Sequence, residues 1–345
     1  MKQTIVPPPL KKGDTLALFS PSSPGDVKFP QQYNNGIKAL HELGYQTSEM
    51  EIEENHIGYR SASPVERANH LHTLFLNQEI KGILCNIGGY NTNEMLPFID
   101  FDIIRNHPKF ICGYSDSSVL LNAITHKTDI VTFHGPMVIP SFGEYPKPLE
   151  YTVEYFQAMA HQTINLPHKW TPPTEWTDEF VEWIGPSWGT RSRKMTENKG
   201  PIWVQKHKEN TTVSGFLVGG NTDSLLPLIN TEYFKIPENS ILFIEDISVS
   251  IEKWAMLMWS LKIKGVFKRI NALLIGKMEG IPNGNLLKMI EIIKEILHYD
   301  HVEIPVVAEL DIGHTAPMFT LPIGSTISID SVKEEITLVK LNGGN

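Results

Sequence analysis

Short apolar runs and amphipathic segments alternate along the first third of the chain, and this alternation constrains the fold more than any other feature. Runs within 14–25, 81–90 and 109–115 are too short for helices, and each ends at Ser, Pro or Gly. Such runs are typical of buried strands. Because segments with helical spacing separate them, we predict parallel strands in an α/β sheet covered by helices on both faces.

One of the intervening helices has a clear start signal. Ser63 is followed by Pro64 and then by Glu66, three residues after the serine. A serine N-cap with Pro at the first helical position and Glu at the third forms a capping box. The segment 63–80 is therefore predicted to be a helix.

Composition and apolar periodicity change at two points along the sequence, which divides the chain into three segments. We predict an N-terminal α/β domain over 1–165 and a connection over 166–201. A C-terminal domain follows over 202–345, with further strands and an amphipathic helix. The connection has four tryptophans and little periodicity, and long loops in compact proteins are usually functional or disordered. Its tryptophan content argues against disorder.

Composition excludes several function classes. The 345 residues carry a formal net charge of -9, which disfavours a nucleic-acid-binding surface. Cys85 and Cys112 lie in apolar runs and are expected to be buried free thiols. We find no histidine or cysteine spacing typical of zinc sites and no G-x-G-x-x-G dinucleotide motif, so we expect neither a metal nor an organic cofactor.

The N-terminal residues lack the layout of a signal peptide, and no stretch of about 18 apolar residues occurs. We therefore expect a cytoplasmic protein with no membrane partner.

Ser115 stands where a predicted buried strand turns into a helix. A sharp turn there exposes the hydroxyl and directs backbone N–H groups at a reacting carbonyl, as a serine nucleophile requires. The alternative is that Ser115, Asp116 and Ser117 simply cap the helix, since all three are good cap residues. The local sequence leaves both possibilities open.

A serine nucleophile needs a base and an orienting acid. His314 follows Gly313 in a loop after a strand-like run, and Glu245 ends an apolar strand, where a carboxylate needs a partner. His134 is a rival for the base that could equally line a substrate pocket. Each residue alone has an ordinary structural explanation, but the three types recur at strand ends in the order Ser, Glu, His.

Gly88 and Gly89 form a second turn at a strand end. Their N–H groups could serve an oxyanion or a carboxylate, although glycine as a simple turn residue explains the pair equally well.

Six motifs together resemble the LD-carboxypeptidase family of serine peptidases. They are GGYNTNEMLP, CGYSDSS, FHGPM, GGNTDSL, FIEDI and DIGHTAP, and they occur in the family's order over most of the chain. The resemblance implies a Rossmann-like N-terminal domain with a parallel sheet and a smaller β-rich C-terminal domain. It also implies a homodimer.

The resemblance assigns roles to the candidate residues. It implies Ser115 as nucleophile, Glu245 as acid and His314 as base, with an oxyanion hole from the N–H of Asp116 and a glycine of the Gly88–Gly89 pair.

The family resemblance implies two alternative kinds of substrate. One branch releases terminal D-Ala from murein tetrapeptide; the microcin C self-immunity branch cuts the amide between an aspartyl or peptidyl group and a modified nucleotide. The tryptophan-rich connection favours the second branch, which carries a longer loop there with an aromatic residue over the base. Trp183 and Trp188 are the candidates for stacking on adenine, unless they only pin the loop.

The sequence thus predicts a serine peptidase or amidase that detoxifies microcin C-like aminoacyl nucleotides. The alternatives are a murein LD-carboxypeptidase and a non-catalytic protein that binds the same kind of ligand. Four residues within the motifs are expected to bind the substrate: Tyr90, Asn91, His134 and Asn221.

Overall fold

The computed structural model describes residues 4–49, 58–185, 188–207, 212–281 and 285–341. Pro186 and Ser187 of the predicted connection lie outside the described residues. The expected α/β fold is confirmed, since helices alternate with strands that form two sheets with parallel centres.

The strands of the described residues are β1 (Thr15–Phe19), β2 (Gln46–Ser48), β3 (Ile80–Cys85), β4 (Phe110–Gly113), β5 (Thr132–His134), β6 (His168–Lys169), β7 (Glu175–Trp176), β8 (Thr196–Glu197), β9 (Ile202–Gln205), β10 (Thr212–Asn221), β11 (Ser240–Glu245), β12 (Ile270–Gly276), β13 (Val306–Leu310), β14 (Leu321–Ile323), β15 (Thr326–Asp330) and β16 (Glu335–Lys340).

The helices are α1 (Gly25–Lys28), α2 (Pro30–Glu42), α3 (Pro64–Leu76), α4 (Phe101–Asn106), α5 (Ser117–Thr128), α6 (Glu150–Ala160), α7 (Thr222–Leu225), α8 (Ile251–Ile263) and α9 (Asn285–Asp300). Short 3₁₀ helices span Thr92–Phe98 and Val266–Lys268, and a π-helical turn spans Val138–Phe142.

The start of α3 matches its prediction. Ser63 Oγ accepts a hydrogen bond from the Glu66 N–H at 3.3 Å, and the Glu66 carboxylate accepts from the Ser63 N–H at 2.9 Å. The capping box therefore forms as the sequence predicted.

The first sheet has the strand order β14-β5-β4-β3-β1-β2. Strands β1 to β5 pair in parallel, and β14 joins the edge antiparallel to β5. Residues of β4 are all buried, which explains its unbroken apolar run. The loops after β3 and β4 leave the sheet at the same edge, because carboxyl ends of parallel strands lie together.

The second sheet has the order β6-β16-β15-β10-β11-β12-β13-β9. Its centre, from β10 to β13, is parallel, and the flanking pairs are antiparallel. All six residues of β11 are buried, including Glu245 at its carboxyl end. A carboxylate is thus placed in the core at the end of an apolar strand.

Two strands cross the boundaries drawn from the sequence. Strand β14 of the 202–345 stretch completes the first sheet, and β6 of the 166–201 stretch pairs with β16. Within its described residues, the connection contains only two-residue strands, of which β7 and β8 pair with each other. The threefold division of the chain stays a prediction.

Asn122 fastens helix α5 to strand β10. Its amide Nδ2 donates to the Gly219 carbonyl at 2.8 Å, and its Oδ1 accepts from the Gly219 N–H at 3.3 Å. The side chain is almost fully buried. This pair of bonds joins the helix that follows Ser115 to the sheet that carries Glu245.

No helix within the described ranges is long and apolar enough to cross a membrane.

We predict that Asn122→Leu destabilises the protein. The leucine leaves the buried N–H and C=O of Gly219 without partners, at a cost of about 2–5 kcal/mol in unfolding free energy. Urea denaturation measures the change, with Asn271→Leu as control, because the Asn271 amide bonds to Ser214 at an exposed position. Equal stability of the two variants would contradict the proposed role of this contact.

Candidate active site

Ser115 lies in the sharp turn between β4 and α5. Its φ angle is +59°, in the left-handed region that non-glycine residues rarely adopt. Such strain persists where the surroundings hold it, and it is common at functional turns. The turn leaves the serine only partly buried, and its side chain faces a cavity.

Capping of α5 does not explain the hydrogen bonds that Asp116 forms. Asp116 stands at the N-cap of α5, but its side chain caps no N–H of that helix. Its Oδ2 instead accepts four hydrogen bonds: from Ser22 Oγ at 2.7 Å, the Asn91 N–H at 2.8 Å, the Thr92 N–H at 2.9 Å and Thr92 Oγ1 at 2.8 Å. This carboxylate fixes the loops after β1 and β3 to the serine turn.

Arg67 also holds the loops that follow β1 and β3. It is fully buried, and its guanidinium donates to the Pro21 carbonyl, to Asn91 Oδ1 at 2.8 Å and to Glu94 Oε2 at 2.8 Å. Burial lowers the pKa of Arg67, and the carboxylate of Glu94 opposes that shift. Local sequence does not indicate this role, because the bonded partners lie 24 to 46 positions away.

The structure brings the three predicted residues into one hydrogen-bonded chain. His314 Nε2 lies 3.0 Å from Ser115 Oγ, and His314 Nδ1 lies 2.6 Å from Glu245 Oε2. Serine comes from the first sheet, while the glutamate and histidine come from the second sheet and the loop after β13. The chain of bonds therefore spans both sheets.

Gly313 allows the glutamate to approach the histidine loop. Its φ is +89°, and a Cβ at this position would lie 2.2 Å from Glu245 Oε2. A side chain there would displace the carboxylate from His314. The glycine that precedes the histidine is thus required by close contact.

Electrostatics favour a charged histidine. Burial alone would lower the pKa of His314, but attraction to Glu245 and the hydrogen bond with it outweigh burial and raise the pKa above its usual 6.5. Burial likewise opposes the charged form of Glu245, yet His314 holds its pKa below the usual value. The glutamate is thus ionised and can stabilise an imidazolium.

The glycine pair after β3 approaches Ser115 closely. A Cβ on Gly88 would lie 2.6 Å from Ser115 Oγ and 3.2 Å from the Asp116 nitrogen. The backbone of Gly88 and the N–H of Asp116 therefore border the same space beside the hydroxyl. This is the placement that an oxyanion hole requires, and the assignment of Gly88, Gly89 and Asp116 to it stays a prediction.

Two neighbouring cavities meet at Tyr114, Trp183 and His314. The first, of about 140 Å³, is lined by the connection, including Trp183, Trp188 and Arg193. The second, of about 240 Å³, is lined by Ser115 and the two glycines. We call them the tryptophan cavity and the serine cavity.

The four tryptophans of the connection have different surroundings. Trp170 is buried against Phe319, with ring centroids 4.6 Å apart, and Trp176 lies over the Lys277 ammonium, which is 5.5 Å from its ring. Both pin the connection to the body of the protein. Trp183 and Trp188 instead line the tryptophan cavity.

Trp183 and Trp188 also differ from each other. The Trp188 indole N–H donates to Gln32 Oε1 at 2.5 Å, which fixes its ring. Trp183 lines both cavities and packs edge-on against Phe29, at 5.2 Å between centroids.

The connection is also tied to the histidine loop. Thr177 and Ala316 exchange two backbone hydrogen bonds, of 2.7 and 3.0 Å. The loop that bears His314 is therefore held by the segment that lines the tryptophan cavity.

The other expected substrate-binding residues are placed unequally. Tyr90 is 88% exposed and lines the serine cavity, as does Asn221. Asn91 is buried, and its backbone and side chain are used by Asp116 and Arg67. The structure thus places Asn91 in the support of the loop and outside the lining of both cavities.

His134 is completely buried beneath the site. Its ring lies edge-on to Phe243, at 4.9 Å, and burial lowers its pKa to about 4. It is absent from the lining of both cavities, and the position hydrogen-bonded to Ser115 belongs to His314. Its role in substrate binding stays a prediction that this placement does not favour.

Cys85 and Cys112 are free and buried, as expected. Burial raises the pKa of the Cys85 thiol to about 12, which leaves it a poor nucleophile. Among the described residues, no group of three or more His, Cys, Asp or Glu is arranged to hold a metal ion.

A serine in a strained strand–helix turn, hydrogen-bonded to a histidine that is oriented by a buried glutamate, is the arrangement of a serine hydrolase on an α/β fold. Comparison with known proteins narrows this class. The chain matches the family model of the LD-carboxypeptidase N-terminal domain over residues 16–135 and that of the C-terminal domain over 214–329. The chain therefore belongs to the LD-carboxypeptidase family.

Two curated relatives and one solved structure illustrate the family. The chain is 34% identical to the microcin C7 self-immunity protein MccF of Escherichia coli, over 96% of this chain and 95% of that protein. It is 27% identical to a probable murein peptide carboxypeptidase of Bacillus subtilis, over 95% and 92%. A structure of MccF in complex with aspartyl sulfamoyl adenosine superposes with a TM-score of 0.89, at 34% identity, over 97% and 98%.

We predict that modification of Ser115 by a fluorophosphonate slows as the pH falls through the pKa of His314. The base must be neutral to accept the serine proton, and Glu245 places that pKa above the usual 6.5. Glu245→Gln removes the attraction and leaves burial to dominate, so the acid limb moves to lower pH. Labelling rates between pH 5 and 9 measure both profiles, and an unmoved limb in the variant would contradict the assignment of Glu245.

Proposed function

We propose that this chain is a serine carboxypeptidase-type hydrolase that cleaves the amide between an aspartyl or peptidyl group and a modified adenylate. It would thereby detoxify microcin C-like aminoacyl nucleotides. The observation that carries the proposal is the Ser115–His314–Glu245 chain at the junction of the serine and tryptophan cavities.

In the proposed reaction, each proton transfer and each bond that forms or breaks is assigned to a group of the site. His314 Nε2 accepts the proton of Ser115 as Oγ attacks the carbonyl carbon, and the N–H groups of Asp116 and the glycine pair stabilise the oxyanion. The imidazolium, held by Glu245, then protonates the leaving nitrogen, and the amide bond breaks. Water activated by His314 hydrolyses the acyl-enzyme and restores Ser115.

The tryptophan cavity supports a nucleotide as the leaving group. Trp183 lies at its junction with the serine cavity, next to the reacting serine. An indole ring can stack on adenine with an energy of about 1–3 kcal/mol. The relative bound to aspartyl sulfamoyl adenosine has the same fold over nearly its whole length, which also favours this substrate class.

Murein peptide is the second candidate substrate. Support for it comes from the relative named as a probable murein peptide carboxypeptidase, which aligns over most of both chains. The same catalytic groups would release a terminal D-Ala, so the two candidates differ only in what the cavities hold.

We also propose, as the family resemblance implied, that the protein forms a homodimer. Light scattering coupled to size exclusion measures the mass against the 39.0 kDa of one chain.

The substrate test compares two reactions of the purified protein. We expect release of aspartate from aspartyl sulfamoyl adenosine and little release of D-Ala from murein tetrapeptide, both followed by mass spectrometry. Ser115→Ala should lower the rate at least a thousandfold with the fold intact, because it removes the nucleophile. Ser117→Ala is the matched control, since Ser117 begins α5 two residues away.

Hydrolysis of the tetrapeptide without hydrolysis of aspartyl sulfamoyl adenosine would assign the protein to the branch that acts on murein peptide. Wild-type turnover by Ser115→Ala would contradict the nucleophile, and failure to hydrolyse either compound would favour a ligand-binding protein.

We predict that Trp183→Ala raises KM for the adenosine substrate by about 5- to 150-fold, the loss expected for one base stack, with kcat little changed. Trp188→Ala is the comparison, because the Trp188 ring is fixed by Gln32 and its loss should cost less. Steady-state kinetics of both variants measure the difference. A larger effect of Trp188→Ala would exchange the two assignments.

A further inference from the structure

The serine cavity contains charged groups that the proposed mechanism does not use. Asp223, Asp246 and Lys253 line it together with Asn221, and the glycine pair and Ser115 line the same cavity. In the proposed reaction the nucleotide takes the tryptophan cavity, so the acyl group attached to Ser115 takes the serine cavity. These charges therefore surround the acyl group.

Asp246 is the least satisfied of these groups. Only 2% of the residue is exposed, and its Oδ1 accepts one long hydrogen bond of 3.3 Å from the Asn221 amide. Its Oδ2 is buried and has no hydrogen-bond partner among the described residues. The hydroxyl of Thr222 is close enough to favour the ionised form of Asp246, but it donates to the Glu245 carbonyl at 3.3 Å. A buried carboxylate oxygen without a donor is costly, so its presence beside the reacting serine points to a partner that arrives with the ligand.

The neighbouring charges are already paired. The Lys253 ammonium lies 2.5 Å from Asp223 Oδ2, and Glu245 is bonded to His314. Asp246 thus faces two carboxylates, Glu245 and Asp223, and two cationic groups, His314 and Lys253, which already have partners of their own. Neither His314 nor Lys253 forms an ion pair with Asp246 itself.

Burial, with Glu245 and Asp223 adding to it, raises the pKa of Asp246 to about 7. An approaching cation would favour the ionised form, because it supplies the missing opposite charge.

The chemistry of the Asp246 carboxylate and its neighbours indicates which kind of ligand group can bind there. An unpaired carboxylate beside other carboxylates repels an anion and is left unsatisfied by an apolar group. A divalent metal needs several free oxygen ligands, but Asp223 and Glu245 already bind Lys253 and His314, and the described residues form no group of three or more His, Cys, Asp or Glu arranged to hold a metal ion. A primary ammonium has three N–H donors and a positive charge, and it can serve Asp246 while the Asn221 amide bonds beside it.

We propose that Asp246 binds the free α-ammonium group of the acyl residue, so that the enzyme prefers substrates whose scissile acyl group carries an unblocked amine. This inference rests on the proposed function for the orientation of the substrate. It adds that a single aminoacyl group is preferred over the same group extended or blocked at its nitrogen. Asp246 is a specificity-determining residue, distinct from the hydrolytic groups.

The test uses two inhibitors that differ only at the amine. Diphenyl phosphonate analogues of aspartate phosphonylate a serine nucleophile and release phenol, and they contain no nucleotide. One carries a free α-amine and the other an N-acetylated amine. The second-order rate of Ser115 modification is measured for both with wild type, Asp246→Asn and Glu279→Gln.

Glu279→Gln is the matched control, because Glu279 is a carboxylate near His314 that lines the tryptophan cavity and not the serine cavity. Intrinsic reactivity of the two inhibitors is corrected by their rates of hydrolysis in buffer.

We expect wild type to favour the free amine at least tenfold at pH 8, and Asp246→Asn to reduce that ratio to about twofold or less. Glu279→Gln should keep the ratio of the wild type.

Equal rates for the two inhibitors in the wild type would overturn the inference, as would a ratio that Asp246→Asn leaves unchanged. Failure of the proposed function has a different signature: no hydrolysis of aspartyl sulfamoyl adenosine, with the inhibitor ratio still dependent on Asp246.

Discussion

The hydrogen bond between Glu245 and His314 is the contact on which the site depends, because it orients the histidine that reaches from the second sheet to a serine held by the first. The glutamate is completely buried at the end of β11, and the histidine is its hydrogen-bond partner at 2.6 Å. Removing that partner would leave an uncompensated carboxylate in the core. The proposed catalytic chemistry and the compensation of a buried carboxylate therefore use the same pair.

Much of the site could be predicted from sequence because its members stand at strand ends. An apolar run followed by Gly, Ser or a carboxylate is a local signal. It predicts Ser115, Glu245 and the glycine pair as site residues without any information on tertiary contacts. The α/β class followed from the same alternation. The capping box of α3 was predicted for the same reason, since all its groups lie within four residues.

What could not be predicted depends on distant contacts. The four hydrogen bonds accepted by Asp116 come from residues 24 to 94 positions away, so the sequence offered only its capping propensity. His134 lies on a strand in a functional-looking motif, yet the pairing of β5 with β14 places it in the core. The extension of the first sheet by β14, from the far end of the chain, likewise has no local signature.

We propose that Ser115 is the nucleophile of a site assembled from both sheets. Peptide mapping by mass spectrometry after reaction with a fluorophosphonate is the decisive measurement. We expect a single adduct, on Ser115, that is absent in His314→Ala and Glu245→Ala proteins that remain folded. An adduct on Ser117 or Ser118, or labelling of Ser115 that persists without His314, would contradict it.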